Sequence, residues 1–162
     1  MNWIIRNTKR IKFHTNLTEV LKPIWKDLFE YNWVLTDLDF MSDDNDIHID
    51  FNHDYFILNK EQFEKLYQSE TQIIWGIISA TPKNLQLNTN SISNLSAEDL
   101  NAWKNNQFLI PESYVEIVAF DSAYTIVKFK DEKLSNKFKE YFEDEAIDLQ
   151  KFNEDYMTKP KT

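Results

Sequence analysis

A chain of 162 residues with a net charge of −9, of which 42% are hydrophobic and 15% aromatic, holds enough apolar material for one ordinary core and argues against global disorder. The absence of cysteine removes disulfides, thiolate nucleophiles, iron–sulfur clusters and the usual structural zinc sites. The single glycine, Gly76, removes the Walker A loop, the dinucleotide fingerprint and the G-x-S-x-G elbow, all of which need more than one, and Asn is expected to occupy the turns instead.

The start, "MNWIIRNTKRIKF", offers only three apolar residues in a row before Arg6, so no signal-peptide core is expected, and no later apolar run approaches the roughly 20 residues that span a bilayer. Residues 3–13 predict a strand in which Ile11 and Phe13 alternate with Arg10 and Lys12. "TNLTEVLKPIWKDLFEY" predicts a helix with Thr15 or Asn16 as N-cap, kinked or split at Pro23. Two or three strands are expected in residues 32–58, of which "IHIDF" is the clearest, preceded by a turn at "SDDND". "NKEQFEKLYQSE" predicts a helix opened by an Asn59–Gln62 capping box and burying Phe63, Leu66 and Tyr67. "TQIIWGIISATP", apolar on both faces, predicts a central strand.

Residues 82–95 predict a polar, Asn-rich loop, and "SAEDLNAWKNNQ" a helix with Ser96 and Asp99 in capping-box spacing. "SYVEIVAFDSAYTIVKFKD" predicts a β-hairpin turning near Asp121 and Ser122, and Asp131 caps a final helix through Leu134, Phe138, Tyr141 and Phe142. The order of elements predicts a single α+β domain over residues 1–156, with a mixed or mainly antiparallel sheet, helices packed largely on one face, and a C-terminal tail at 157–162. Trp25 and Trp33 are core residues on this reading, with an interface role as the alternative, and His14 is a strand-end residue.

Charge is unevenly laid out. Residues 1–26 carry +5, residues 27–59 carry −9 without a single Lys or Arg, and residues 140–155 carry −6. Such runs form either plain solvated faces or a negative field that steers a basic partner. The same sign disfavours nucleic acid.

The stretch "MSDDNDIHIDFNHDY", residues 41–55, concentrates five aspartates and two histidines. As a calcium loop it fails in both registers: from Asp44 the fifth and sixth positions are His48 and Ile49, and from Asp43 the fifth is Ile47. His48, Asp50 and His53 could supply three ligands to a transition metal or serve a small hydrolase, but strand alternation alone displays His and Asp together. Paired carboxylates for acid–base work are a further option, although a turn dense in charge is wet. No metal and no cofactor is expected.

The acidic, Cys-free domain, the run "DLDFMSDDNDIHIDFNHD" and the closing "EYFEDEAIDLQKFNEDY" resemble the immunity proteins of bacterial polymorphic and contact-dependent toxin systems. "LKPI", "YNW" and "VAFDSAYTIVKFKD" also resemble parts of a small bacterial family of unknown function. The immunity resemblance implies neutralisation of a basic toxin, such as a nuclease, by an acidic surface laid over its active site. It implies Asp43, Asp44, Asp46, His48 and Asp50 as contact residues, with Asp37 and Asp39 as additions. A housekeeping interaction module is the other reading. A cytoplasmic protein without membrane or nucleic-acid partners is expected.

Overall fold

The computed structural model describes residues 1–6, 8–11, 13–42, 49 and 52–157. Seven strands form one antiparallel sheet: β1 (Trp3–Ile5), β2 (Tyr31–Ser42), β3 (Tyr55–Leu58), β4 (Thr71–Pro82), β5 (Val115–Phe120), β6 (Tyr124–Phe129) and β7 (Ala146–Asp148), in the order β3-β2-β4-β5-β6-β1-β7. Five α-helices cover it: α1 (Leu17–Leu21), α2 (Lys60–Gln68), α3 (Thr89–Ser93), α4 (Glu132–Phe142) and α5 (Leu149–Met157). The chain is therefore α+β and antiparallel, as its pattern predicts, with "TQIIWGIISATP" as an interior strand.

Each face of the sheet builds its own apolar layer. On one face α1, α2 and α4 pack against Trp33, Leu35, Ile78, Ile117 and Val127. Here Trp33 stacks on Phe63 with ring centroids 3.9 Å apart, and Trp25 stacks on Tyr67 at 4.0 Å. Both tryptophans are buried, so they belong to the core. On the other face Val34, Ile77, Val118 and Ile126 are covered by α3, α5 and the segment carrying Ala102, Leu109 and Ile110.

Local chemistry explains most boundaries. The strand expected over 3–13 stops at Ile5, because Thr8 Oγ1 accepts from the N–H groups of Arg10 and Ile11 at 3.2 and 3.0 Å and turns the chain. Pro23 splits the next helix: α1, capped by Asn16, gives way to a 3₁₀ turn at Trp25–Leu28. Both bonds of the Asn59–Gln62 capping box form, at 2.8 and 2.9 Å. The hairpin turns at Asp121 and Ser122, both with positive φ, as the twist of a tight hairpin asks.

Four expectations are corrected. The loop expected at 82–95 contains α3, capped by Asn88 and fastened to β2 by Thr36 Oγ1 donating to Ile92 O at 2.9 Å. The helix expected from Ser96 shrinks to a 3₁₀ turn at Leu100–Trp103. Its cap oxygens bond two residues on, Ser96 Oγ to Glu98 N–H and Asp99 Oδ1 to Asn101 N–H. The Lys128 ammonium meanwhile takes the carbonyls of Asn101 and Gln107, the first of which a continuing helix would need. α4 is not the last element, since β7 and α5 follow it. Finally, Asn52, Asn84, Asn94, Asn105 and Asn106 do lie in turns, but the positive-φ positions of non-glycine residues fall on Thr15, Asp37, Asp121, Ser122 and Glu143, with no Asn among the described residues. Asparagine instead caps α1, α2 and α3. The "IHIDF" strand and the "SDDND" turn lie largely outside the described residues, as does the tail beyond Met157.

A candidate acidic interaction site beside the β2 bulge

Strand alternation from Trp33 and Leu35 would carry Asp37 and Asp39 into the core face. The strand avoids this by a bulge, with the β2–β4 register slipping between Thr36 and Asp39. Asp37 takes a positive φ of 51° and the parity shifts by one residue, so Leu38 and Phe40 join the core instead and both aspartates stay exposed. Opposite the bulge sits Gly76. A Cβ there would lie 3.0 Å from Leu38 Cδ1 and 3.4 Å from Ile73 Cγ2, with the backbone at φ +156°, so the chain's one glycine occupies the position where the bulge crowds β4.

The bulge aims Asp37 at the segment after α3. Its Oδ2 accepts from the buried Ala97 N–H at 2.7 Å and from Ser96 Oγ at 3.3 Å, and this closes one wall of a cleft of about 530 Å³. Asp39 lines the cleft from β2, His53 and Asp54 from the approach to β3, and Glu98 from the far wall. All five of these polar side chains are exposed, and no Lys or Arg lines the cleft among the described residues. Phe56 and the half-buried Trp75 supply apolar surface, with Trp75 set edge-on to Phe120 at 4.7 Å between ring centroids.

The cleft thus unites Asp37 and Asp39 with Glu98, which no spacing in the sequence connects to them. Asp43, Asp44, Asp46, His48 and Asp50 lie outside the described residues. Of the possible ligand set His48, Asp50 and His53, only His53 is described, on the cleft rim. Among the described residues no group of three or more His, Asp or Glu could hold a metal ion.

Other carboxylates of the first acidic run are paired elsewhere. Asp27 meets Lys137 of α4 at 2.7 Å, and Glu30 meets Lys83 at 3.4 Å. The β7 part of the second acidic run is remote from the cleft, six strand spacings from β3, or roughly 29 Å across the sheet. Among the described residues the two runs come near each other at α4, where Asp27 meets Lys137 one turn before Glu140. Among the described residues no helix is long and apolar enough to cross a membrane. No protein-family model, no curated protein and no solved structure matches this chain.

Proposed function

We propose that the chain is a binding protein of the immunity type, which neutralises a basic, phosphate-handling toxin by laying the acidic β2–β3 edge over its active site. The observation that supports this most is the cleft rim of Asp37, Asp39, Asp54 and Glu98 with no Lys or Arg among its described lining residues. A site built to hold phosphates carries a positive field, and carboxylates on a matching surface occupy it, speed the encounter and set its register. The aromatic pair Phe56 and Trp75 offers surface on which an arginine or lysine stem of the partner can lie. Asp37 acts chiefly as the strut of the cleft wall, leaving Asp39, Asp54 and Glu98 as contact residues. Asp43, Asp44, Asp46, His48 and Asp50 extend the same sequence run and remain part of the proposal.

The test is capture from the producing cells on immobilised protein at low and high salt, with Asp39→Asn/Asp54→Asn/Glu98→Gln in parallel. A single basic protein held by the wild type, released by salt and lost by the triple variant supports the reading. Equal retention by the folded triple variant refutes it.

A further inference from the structure

At the β7 edge of the sheet a second cleft, of about 560 Å³, opens between the end of β1, the β5–β6 hairpin turn and the residues entering β7. Its volume is that of small-molecule sites. Arg6 enters it in a fixed pose, Nη1 donating to Tyr156 Oη at 3.1 Å while the guanidinium lies 5.4 Å from the centre of the Tyr124 ring. One donor is thereby bonded, the guanidinium plane is held near the ring, and the rest of the fork is left open, with no carboxylate in ion-pair reach among the described residues.

Across the same cleft stand Asp144 and Glu145, which likewise form no ion pair among the described residues. Oε2 of Glu145 is buried and has no hydrogen-bond partner among the described residues, an arrangement that costs free energy unless a donor arrives. His14 also lines the cleft. Burial first, and the charge of Arg6 second, lower its pKa, so the imidazole is neutral at pH 7 and offers one donor and one acceptor.

Opposite charges that share a cleft without meeting are the complement of a dipolar ligand. A simple anion would face two carboxylates and leave Glu145 Oε2 unsatisfied, and a simple cation would face Arg6. We propose that this cleft binds a free α-amino acid as its zwitterion, the carboxylate on the Arg6 guanidinium and the ammonium on Glu145 and Asp144. Ala123 and Ile147 supply apolar surface for its side chain. The site lies on the opposite edge from the acidic interaction cleft and stands or falls independently of it.

The experiment is calorimetric titration of the full chain with each of the twenty free amino acids, followed by the N-acetyl and methyl-ester forms of whichever binds most tightly. A dissociation constant of about 1 mM or better, with each blocked form weaker by about tenfold or more, is the expected result. Arg6→Gln is expected to abolish discrimination against the methyl ester, and the exposed Asp144→Asn to reduce discrimination against the N-acetyl form without touching the fold. Failure of all twenty to bind at about 10 mM overturns the proposal, as does binding that tolerates both blocking groups.

Discussion

Replacing Lys128 by Met should be among the most damaging single changes this fold can take, although it removes a charge from an apolar layer. Lys128 and Glu116 face each other across the β5–β6 register and both are fully buried. Glu116 accepts from the N–H groups of Leu109 and Ile110 at 3.0 and 2.9 Å, while the Lys128 ammonium donates to Asn101 O and Gln107 O. The neighbours of the carboxylate are donors and those of the ammonium are acceptors, the arrangement of an ionised pair. Lys128→Met takes the ammonium from Gln107 O and from Asn101 O, which keeps only the Lys104 N–H at 3.1 Å, and leaves the carboxylate uncompensated, a loss of about 3–5 kcal/mol. Burial already pushes the Glu116 pKa up, opposed by its backbone donors and then by Lys128. Without Lys128 it rises further. The folded variant then holds a proton that the unfolded chain releases, so stability returns as pH falls through that raised value. Urea unfolding of wild type and variant from pH 5 to pH 8 should show a deficit near its full size at the upper end and smaller at the lower. A deficit below about 1 kcal/mol, or one that ignores pH, would refute the reasoning.

Burial also pushes the Lys128 pKa down to about 8, against the pull of Glu116 and then Asp99. Its side-chain carbon resonances should therefore titrate near pH 8, well below those of exposed lysines; because the unfolded chain holds that proton up to its higher pKa, Lys128 contributes more stability as pH rises through this window. Gly76→Ala should cost about 1–3 kcal/mol in urea unfolding, with partial recovery when Leu38→Ala is added, since Leu38 Cδ1 is the nearest obstacle. Trp33 Nε1 is buried without an acceptor among the described residues, whereas Trp3 Nε1 donates to Ser135 Oγ at 2.9 Å and Ser135 O at 3.2 Å. Trp3→Phe should therefore destabilise by about 1 kcal/mol more than Trp33→Phe, and the reverse order would contradict this assignment. Asp37→Ala should speed hydrogen exchange at the Ala97 amide and cost about 1–3 kcal/mol, while Asp39→Asn should change stability by less than about 0.5 kcal/mol.

What could be read from the sequence was whatever short-range bonds decide. Asn59 and Gln62 satisfy each other across three residues, and Asp121 and Ser122 turn the hairpin between two strands that pair at once. The elements that escaped depend on distant partners. The helix expected after Ser96 is held short by local cap bonds and by Lys128, which lies 27 residues beyond the carbonyl of Asn101. β7 and α5 hide in a run whose charge reads as a solvated face, although Ala146, Leu149 and Phe152 are buried.

The candidate site divides in the same way. Its negative charge is plain in residues 27–59, but the wall that makes it a cleft rests on the bond from Ala97 to Asp37, 60 residues apart. The parity of the apolar residues in β2, Trp33 and Leu35 against Leu38 and Phe40, together with a lone glycine at 76, was the signal of the bulge. That the β7 part of the second acidic run sits on the far edge follows only from strand order, which no local pattern encodes.

The central claim, that the β2–β3 edge recognises a basic protein, is tested most directly by the association rate of the captured partner with wild type and with Asp39→Asn/Asp54→Asn/Glu98→Gln across a salt series. The account predicts that the wild-type rate falls steeply with salt and that the triple variant associates about tenfold or more slowly at low salt, with a flatter dependence. Equal rates and equal salt slopes for the two folded proteins would contradict it.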